Sequence, residues 1–371
     1  MSRSFVIISF LILLFSTHYI ISQELPLTIE ISKELLDSKQ EFKDLTANVE
    51  TIGLAHPTIK EDDFLSFILH KNFLYVAKLG GQSILKFDRN GKFLKEIIPE
   101  ENSPINFLSN FWIRNDNLFI YDTTLGTVLK INFDGKVTDQ IKVPISNPSS
   151  VITTDTELWL DMNRKKIYGK NNNERFNLLC YDFKSNVLSK KVKYGFSLPI
   201  IIGSGLSNFS IDREKVYYQQ PHSTSVFELI DKDVKEVVTY NFDDLWPYNQ
   251  FDKTGVITRN ELLDLREDES HIFFIKTYMG TDFVLSEFQI NSSIYYILTN
   301  KNSKQKNVVD QNIFTDYLSV CGWFGGNLGL ITRGKVNESQ QMQLTNNIGN
   351  INNSNTSNST HTIMLIEFLN D

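Results

Sequence analysis

Cysteine is nearly absent, with two in 371 residues, which excludes a disulfide scaffold and a zinc site built from cysteines. Basic charge is in deficit: 37 Lys and Arg against 44 Asp and Glu leave −7, which speaks against a partner with a phosphate backbone. Histidine is sparse, and none of His18, His56, His70, His222, His271 and His361 is paired at a metal-ligand spacing. A Gly-x-Ser-x-Gly nucleophile turn is missing, so a hydrolase of that type has no support. Proline is scarce, at 9, while Phe 27 and Tyr 14 are plentiful. Aromatics suit half-buried pleated surfaces, so the balance favours strands. Hydrophobic residues at 41% and charged residues at 22% fit a globular chain rather than a disordered one.

The one long apolar run is Phe5–Phe15, and Arg3 is the only charge before Glu24. Eleven residues match the core of a secretory signal and fall short of the roughly 20 that cross a bilayer. Cleavage is expected near Ser22-Gln23, although Tyr19-Ile20-Ile21 extends the run and an uncleaved anchor is the other reading. No cysteine lies near the cut, so no lipid attaches there, and loss of residues 1–22 removes Arg3 and leaves −8.

One pattern then recurs: a short apolar strand, a polar turn, and a strand with an aliphatic–aromatic pair. The copies pair Leu65–Leu69 with Phe73–Val76, Leu108–Ile113 with Leu118–Tyr121, and Ser150–Thr153 with Glu157–Leu160. They continue with Leu206–Ile211 and Lys215–Tyr218, Leu262–Leu265 and His271–Phe274, and Leu318–Trp323 and Asn327–Ile331. The anchors Leu74, Leu118, Leu158, Val216, Ile272 and Leu328 are 44, 40, 58, 56 and 56 residues apart, close to propeller repeats of about 40–50. Third strands follow, such as Ser83–Asp88 and Val128–Asn132. Asn90-Gly91 and Asp134-Gly135 then supply the positive φ of tight hairpins. Six units of four strands make an all-β, six-bladed β-propeller of antiparallel blades. The last copy has its third strand displaced to Thr362–Leu369 and lacks a fourth, which Val49–Leu54 supplies, so both chain ends close the ring. The expected organisation is a signal peptide at 1–22, an N-terminal arm at 23–48 and a propeller at 49–371. An Asn-rich loop spans 337–360; seven of the fifteen residues from Thr345 to Ser359 are Asn.

These segments, above all Ser83–Ile98, its copy Val128–Val143, the Val49–Leu54 lead-in and the closing Ile363–Leu369, resemble the six-bladed β-propeller proteins related to NHL repeats. Those proteins are abundant among exported proteins of Bacteroidetes-type bacteria. The similarity covers about residues 27–371 and implies a fold and an exported location (periplasmic, cell-surface or secreted) rather than an activity. Many such proteins look like lipoproteins; this chain lacks the cysteine for it.

Candidate binding residues follow from the architecture. The loops after the second strands begin near Lys78, Asp122, Asp161, Gln220, Lys276 and Thr332, which would ring one mouth of the channel. Trp246 lies in the connection between the fourth and fifth blades, where an aromatic could stack on a sugar or a partner. Trp112, Trp159 and Trp323 fall inside repeat strands and are read as core. Gly203-Ser204-Gly205 lacks the third glycine and helix of a nucleotide fingerprint. Asp88-Arg89-Asn90-Gly91 reads as a hairpin turn rather than a calcium loop, and Glu267-Asp268-Glu269 as a solvated turn. Cys180 and Cys321 belong to opposite blades and are not expected to bond. No catalytic residue, metal ligand or cofactor is assigned.

The function that fits is an exported binding or scaffold protein, monomeric, recognising an envelope protein, peptide or glycan through one loop face, with no nucleic acid and no membrane domain after cleavage. The alternative is a propeller hydrolase or lyase with a metal at the channel mouth. Against it, Asp122 and Asp161 are the only carboxylates in the ring, and Lys78 and Lys276 oppose a tight metal cage. A third role is purely structural, as a ring built for assembly.

Overall fold

The computed structural model describes residues 25–99, 105–146, 148–162, 176–194, 207–220, 222–251, 256–291, 293–309, 318–332, 334–335, 348, 351–352 and 359–369. The expected signal segment, the insertion around Lys170–Arg175, Gly203–Gly205 and most of the Asn-rich stretch lie outside them.

Six antiparallel sheets, each of four strands in its body, form the blades of a propeller. Blade one holds Leu65–His70, Phe73–Lys78, Ile84–Asp88 and Phe93–Ile97, from the axis outward. Blade two holds Leu108–Arg114, Asn117–Asp122, Thr127–Ile131 and Val137–Lys142. Blade three holds Ser150–Thr153, Glu157–Asp161, Phe176–Asp182 and Val187–Lys193, and blade four Phe209–Asp212, Lys215–Gln219, Ser225–Ile230 and Asp233–Asn241. Blade five holds Ile272–Met279, Phe283–Ile290, Ser293–Asn300 and Lys306–Val309.

Blade six is composite. Leu318–Phe324 and Asn327–Thr332 are followed by His361–Phe368 from the C-terminal end and Thr46–Leu54 from the N-terminal end, paired antiparallel from His361 with Leu54 to Phe368 with Thr46. The expected closure is therefore present. Before reaching blade six, the N-terminal segment runs around the outside of the ring. Its strand β1 (Leu27–Glu30) adds parallel to the outer strand of blade four, from Leu27 with Val238 to Glu30 with Asn241. Helix α1 (Lys33–Asp37), capped by Ser32, leads to β2 (Lys39–Gln40), parallel to the outer strand of blade five. Helix α2 (Phe42–Leu45) leads into β3 (Thr46–Leu54), the blade-six strand. Phe42 is fully buried, edge-on to Phe368 with centroids 5.4 Å apart.

Alternating apolar side chains fill the space between neighbouring blades, and the tryptophans pin the junctions. Trp112 Nε1 donates to Thr153 Oγ1 at 2.9 Å across blades two and three, and Trp323 Nε1 to the Tyr278 carbonyl at 2.9 Å across six and five. Blades one and two share a turn device. Asp88 Oδ1 accepts from the amides of Asn90 and Lys92, and Asn132 Oδ1 from those of Asp134 and Lys136, all at 2.9 Å. Gly91 follows at φ +79°, and a Cβ there would stand 2.2 Å from the Gly53 carbonyl oxygen of blade six, so both conformation and contact require glycine.

Blade five departs from the expected register. Residues Arg259–Glu267 form a helix, α3, rather than a strand. Thr258 and Glu261 make a reciprocal capping box, and Leu262 and Leu265, three apart, are its buried pair. The strand carrying Ile272 is consequently the innermost of its blade, not the second. The acidic stretch 267–269 is the helix end and the bend after it; there Asp268 accepts from the Ser270 amide at 2.6 Å and meets His271 Nδ1 at 2.7 Å.

Candidate functional site

The structure places Lys78, Asp122, Asp161 and Thr332 on the last residues of second strands, with Gln220 just after one, all toward one rim of the ring. Their side chains are turned inward or already engaged. Asp122 is fully buried: Oδ2 accepts from the amides of Asn106 at 2.5 Å and Phe107 at 3.1 Å, and Oδ1 from those of Thr124 at 2.8 Å and Leu125 at 3.0 Å. Asp161, also buried, accepts from Asn208 Nδ2 at 2.7 Å and the Tyr218 hydroxyl at 3.1 Å, tying blade four to blade three. Thr332 accepts from the Thr362 amide at 2.8 Å and donates to the Gly334 carbonyl at 2.9 Å. Gln220 is buried. Lys78 is exposed and ion-paired with the buried Asp63, which also accepts from the Lys60 amide at 2.9 Å. Those partners hold the Asp63 carboxyl below its usual range against the opposing effect of burial.

Two expected positions are corrected. Lys276 lies on the inner strand of blade five, because α3 displaces the register, and packs 4.7 Å over the Tyr278 ring; burial lowers its pKa. Trp246 is not a loop platform. It is 9% exposed, stacks on Phe242 at 5.2 Å and meets Tyr248 at 4.9 Å in the core shared by blades four and five. An aromatic beside Pro247 and Tyr248 folds inward here because it completes a run of rings. Trp112, Trp159 and Trp323 are buried as expected of core residues. Cys180 and Cys321 are both free thiols, in blades three and six, and burial pushes them up to about 11 and about 12.

Among the described residues, no three His, Cys, Asp or Glu side chains converge as a metal donor set. The four oxygens of Asp122 and Asp161 already accept hydrogen bonds, so the channel-mouth carboxylates do not fit a metal either.

A second candidate lies on the opposite rim, where first and second strands are joined by turns. A cleft of about 450 Å³ opens between blades two and three, within the ~300–1,000 Å³ of small-ligand sites. Its floor is the face of blade two. Phe119, Lys130 and Asp139 are in register across three strands, Ile141 follows on the same face of the outermost, and Lys142 lies at the cleft's edge. Its wall is the turn of blade three, with Tyr181, Phe183 and Asn186. The Tyr181 hydroxyl donates to Asn186 Oδ1 at 2.9 Å, and the Tyr181 and Phe183 rings stand at 79° with centroids 6.1 Å apart. Phe119 is stacked on Trp112 at 5.5 Å, and Lys130 Nζ lies 5.9 Å over the Phe119 ring. Asp155, also on the wall, is held by Arg114 at 2.9 Å, which lowers its carboxyl pKa. Sequence reading missed this site because it searched strand ends. The row Phe119, Lys130, Asp139 becomes visible only once register is known.

The chain matches, over residues 59–366, the family described as Domain of unknown function (DUF4934). It belongs to that family. Among curated proteins, none matches. Among solved structures, this DUF4934 chain is similar to a candidate exported protein of Bacteroides fragilis NCTC 9343, at 15% identity over 92% of this chain and 100% of that one, with a TM-score of 0.68. It is also similar to a DUF4221 family member from Bacteroides vulgatus, at 12% identity over 88% and 97%, TM-score 0.49. A third similarity is to a catalytically inactive virginiamycin B lyase of Staphylococcus aureus, at 9% identity over 86% and 99%, TM-score 0.42. The first likeness concerns the fold alone, and the other two carry no argument. No helix among the described residues is long and apolar enough to cross a membrane.

Proposed function

We propose that this chain is an exported β-propeller binding protein that holds an envelope partner, whether protein, peptide or glycan, in the cleft between blades two and three. Export is supported by Arg3 and the Phe5–Phe15 run, and by the candidate exported protein that shares the fold. One observation carries the binding reading: the contrast between the two rims. The polar groups at the second-strand ends are largely consumed by the fold, whereas Lys130, Lys142 and Asp139 line an open cleft beside aromatic rings without an ion-pair partner among the described residues. Groups left available next to flat apolar surface are what a ligand site requires.

The test does not depend on the partner's chemistry. The purified chain is acetylated on its lysines with and without an envelope extract of the producing cells, and modification is mapped by mass spectrometry. Lys130 and Lys142 are expected to become protected by the extract while Lys60, at the junction of blades six and one, stays reactive. Equal modification of all three with and without extract would sink the reading.

A further inference from the structure

The chemistry of the partner can be read by comparing the six blade junctions with one another, granted the reading above that the cleft holds a partner. Each blade carries a row of three residues in register across its second, third and fourth strands, on the face turned to the next blade. The rows are Tyr75–Lys86–Lys95, Phe119–Lys130–Asp139 and Trp159–Cys180–Ser189 in blades one to three. In blades four to six they are Tyr217–Glu228–Lys235, Leu285–Leu298–Asn307 and Gly329–Leu365–Glu50.

Five rows are covered or neutralised by the chain itself. Arg89 of blade one pairs with Glu50 at 2.6 Å. Phe133 of blade two lies 5.0 Å from Tyr75, and Asp134 pairs with Lys95 at 2.6 Å. Trp159 and Cys180 are buried against blade four, whose Lys232 holds Asp182 at 2.8 Å. Leu285 and Leu298 are buried toward blade six. At blade four, Glu228 is paired with Lys215 at 3.1 Å, and Leu25 and Leu27 from the chain's own N-terminal segment line the opening. The row of blade two differs: among the described residues neither Lys130 nor Asp139 is in an ion pair, whereas in blade four Glu228 is paired within its own blade and only Lys235 is not.

Blade four shows what an extended peptide would need, and blade two does not offer it. β1 pairs with Val238–Asn241, and the Ile31 amide donates to the Asn241 carbonyl at 2.8 Å. The two blades align through the Tyr240 amide on the Thr224 carbonyl (2.8 Å) and the Val143 amide on the Gly126 carbonyl (2.9 Å). Pro144 therefore stands where blade four has Asn241; it keeps the carbonyl that Ile31 uses there but lacks the N–H, so an added strand would lose one rung at this edge. The Gln140 amide is already bonded by Asp139 Oδ1 at 2.8 Å. An edge with proline, a capped amide and exposed charge resists strand addition, so the partner must be read by side chains. An anionic polymer is not favoured either, since the Asp139 carboxylate stands in register with Lys130, while Asp155 is already held by Arg114. What remains is flat aromatic surface set at a corner, with an ammonium, a carboxylate and an amide around it. Aromatic faces receive the C–H faces of sugar rings, and charged groups make the strongest hydrogen bonds to hydroxyls.

We propose that the cleft between blades two and three binds an oligosaccharide, stacked on Tyr181 and Phe183, with its hydroxyls held by Lys130 and Asp139. The experiment is calorimetric titration of the purified chain with cellohexaose, maltohexaose, laminarihexaose, xylohexaose and N-acetylchitohexaose, each up to about 10 mM. At least one is expected to bind. Tyr181→Ala and Lys130→Met are each expected to weaken that binding about tenfold or more, with the chain still folded at the titration temperature by circular dichroism. Lys235→Met, in the equivalent row of blade four, should leave it intact. Failure of all five sugars, or binding indifferent to both cleft variants, overturns the proposal. Lysine protection by extract that disappears after protease treatment also overturns the glycan and leaves the binding reading standing; absence of protection together with absence of sugar binding removes both.

Discussion

Asp122 illustrates how a strand-end carboxylate can look available in sequence and be spent in structure. A polar residue at the end of a strand reads the same whether it faces a channel or folds back on the next turn. Four amides converge on Asp122, and a carboxylate that accepts that many bonds is a joint between loops. His361 makes the complementary case. It opens the closing strand and is 1% exposed. Burial lowers its pKa, against the pull of the Asp63 carbonyl and carboxylate and of Glu61. An imidazole held neutral in the fold takes up a proton more readily when unfolded. Stability should therefore be unaffected above the ordinary histidine range and fall as pH drops through about 6.5. The fall in melting temperature between pH 7.5 and 5 should be smaller in His361→Gln than in the natural chain; equal falls would remove His361 as the cause.

Strands with a period of two, and turns with Asn-Gly or Asp-Gly, were legible from sequence because each blade repeats the same alternation. The elements that escaped have no such period. Thr258 and Glu261 announce a helix start, but Leu262, Leu263 and Leu265 also read as a strand, and only burial of Leu262 and Leu265 on one face separates the two. β1 and β2 are four and two residues long, too short for any alternation to show. They stay in place through the packing of the segment that carries them. Phe42 is its largest fully buried side chain, and Phe42→Ala should cost about 3–5 kcal/mol, read as a lower denaturant midpoint. A change under about 1 kcal/mol would mean that the segment is held by its strand pairing instead.

At the scale of the molecule, the count of blades and the joining of the two ends were both readable, since hydrophobic strands at each terminus otherwise lack a sheet. The cleft was not, because it depends on which side chains neighbouring blades bring to a junction. Closure has a direct test. A chain ending at Thr360 loses His361–Phe368 and leaves two sheet edges bare, one on Asn327–Thr332 and one on β3. It should unfold in a broadened transition and self-associate by light scattering, whereas removal of residues 370–371 alone should do neither. A sharp transition in the shorter chain would show that the other five blades suffice.

The outer path of the N-terminal segment also fixes an order of assembly. β1, β2 and β3 are made before any blade, yet their partners are Asp233–Asn241, Lys306–Val309 and, last of all, His361–Phe368. Each must wait for its partner, β1 for blade four, β2 for blade five and β3 for the closing strand, and bringing such distant segments together is slow because loop closure precedes its reward. Locking is thereby stepwise: a polypeptide interrupted before its closing strand can seat β1 and β2 but leaves β3 without its antiparallel partner, within reach of proteases.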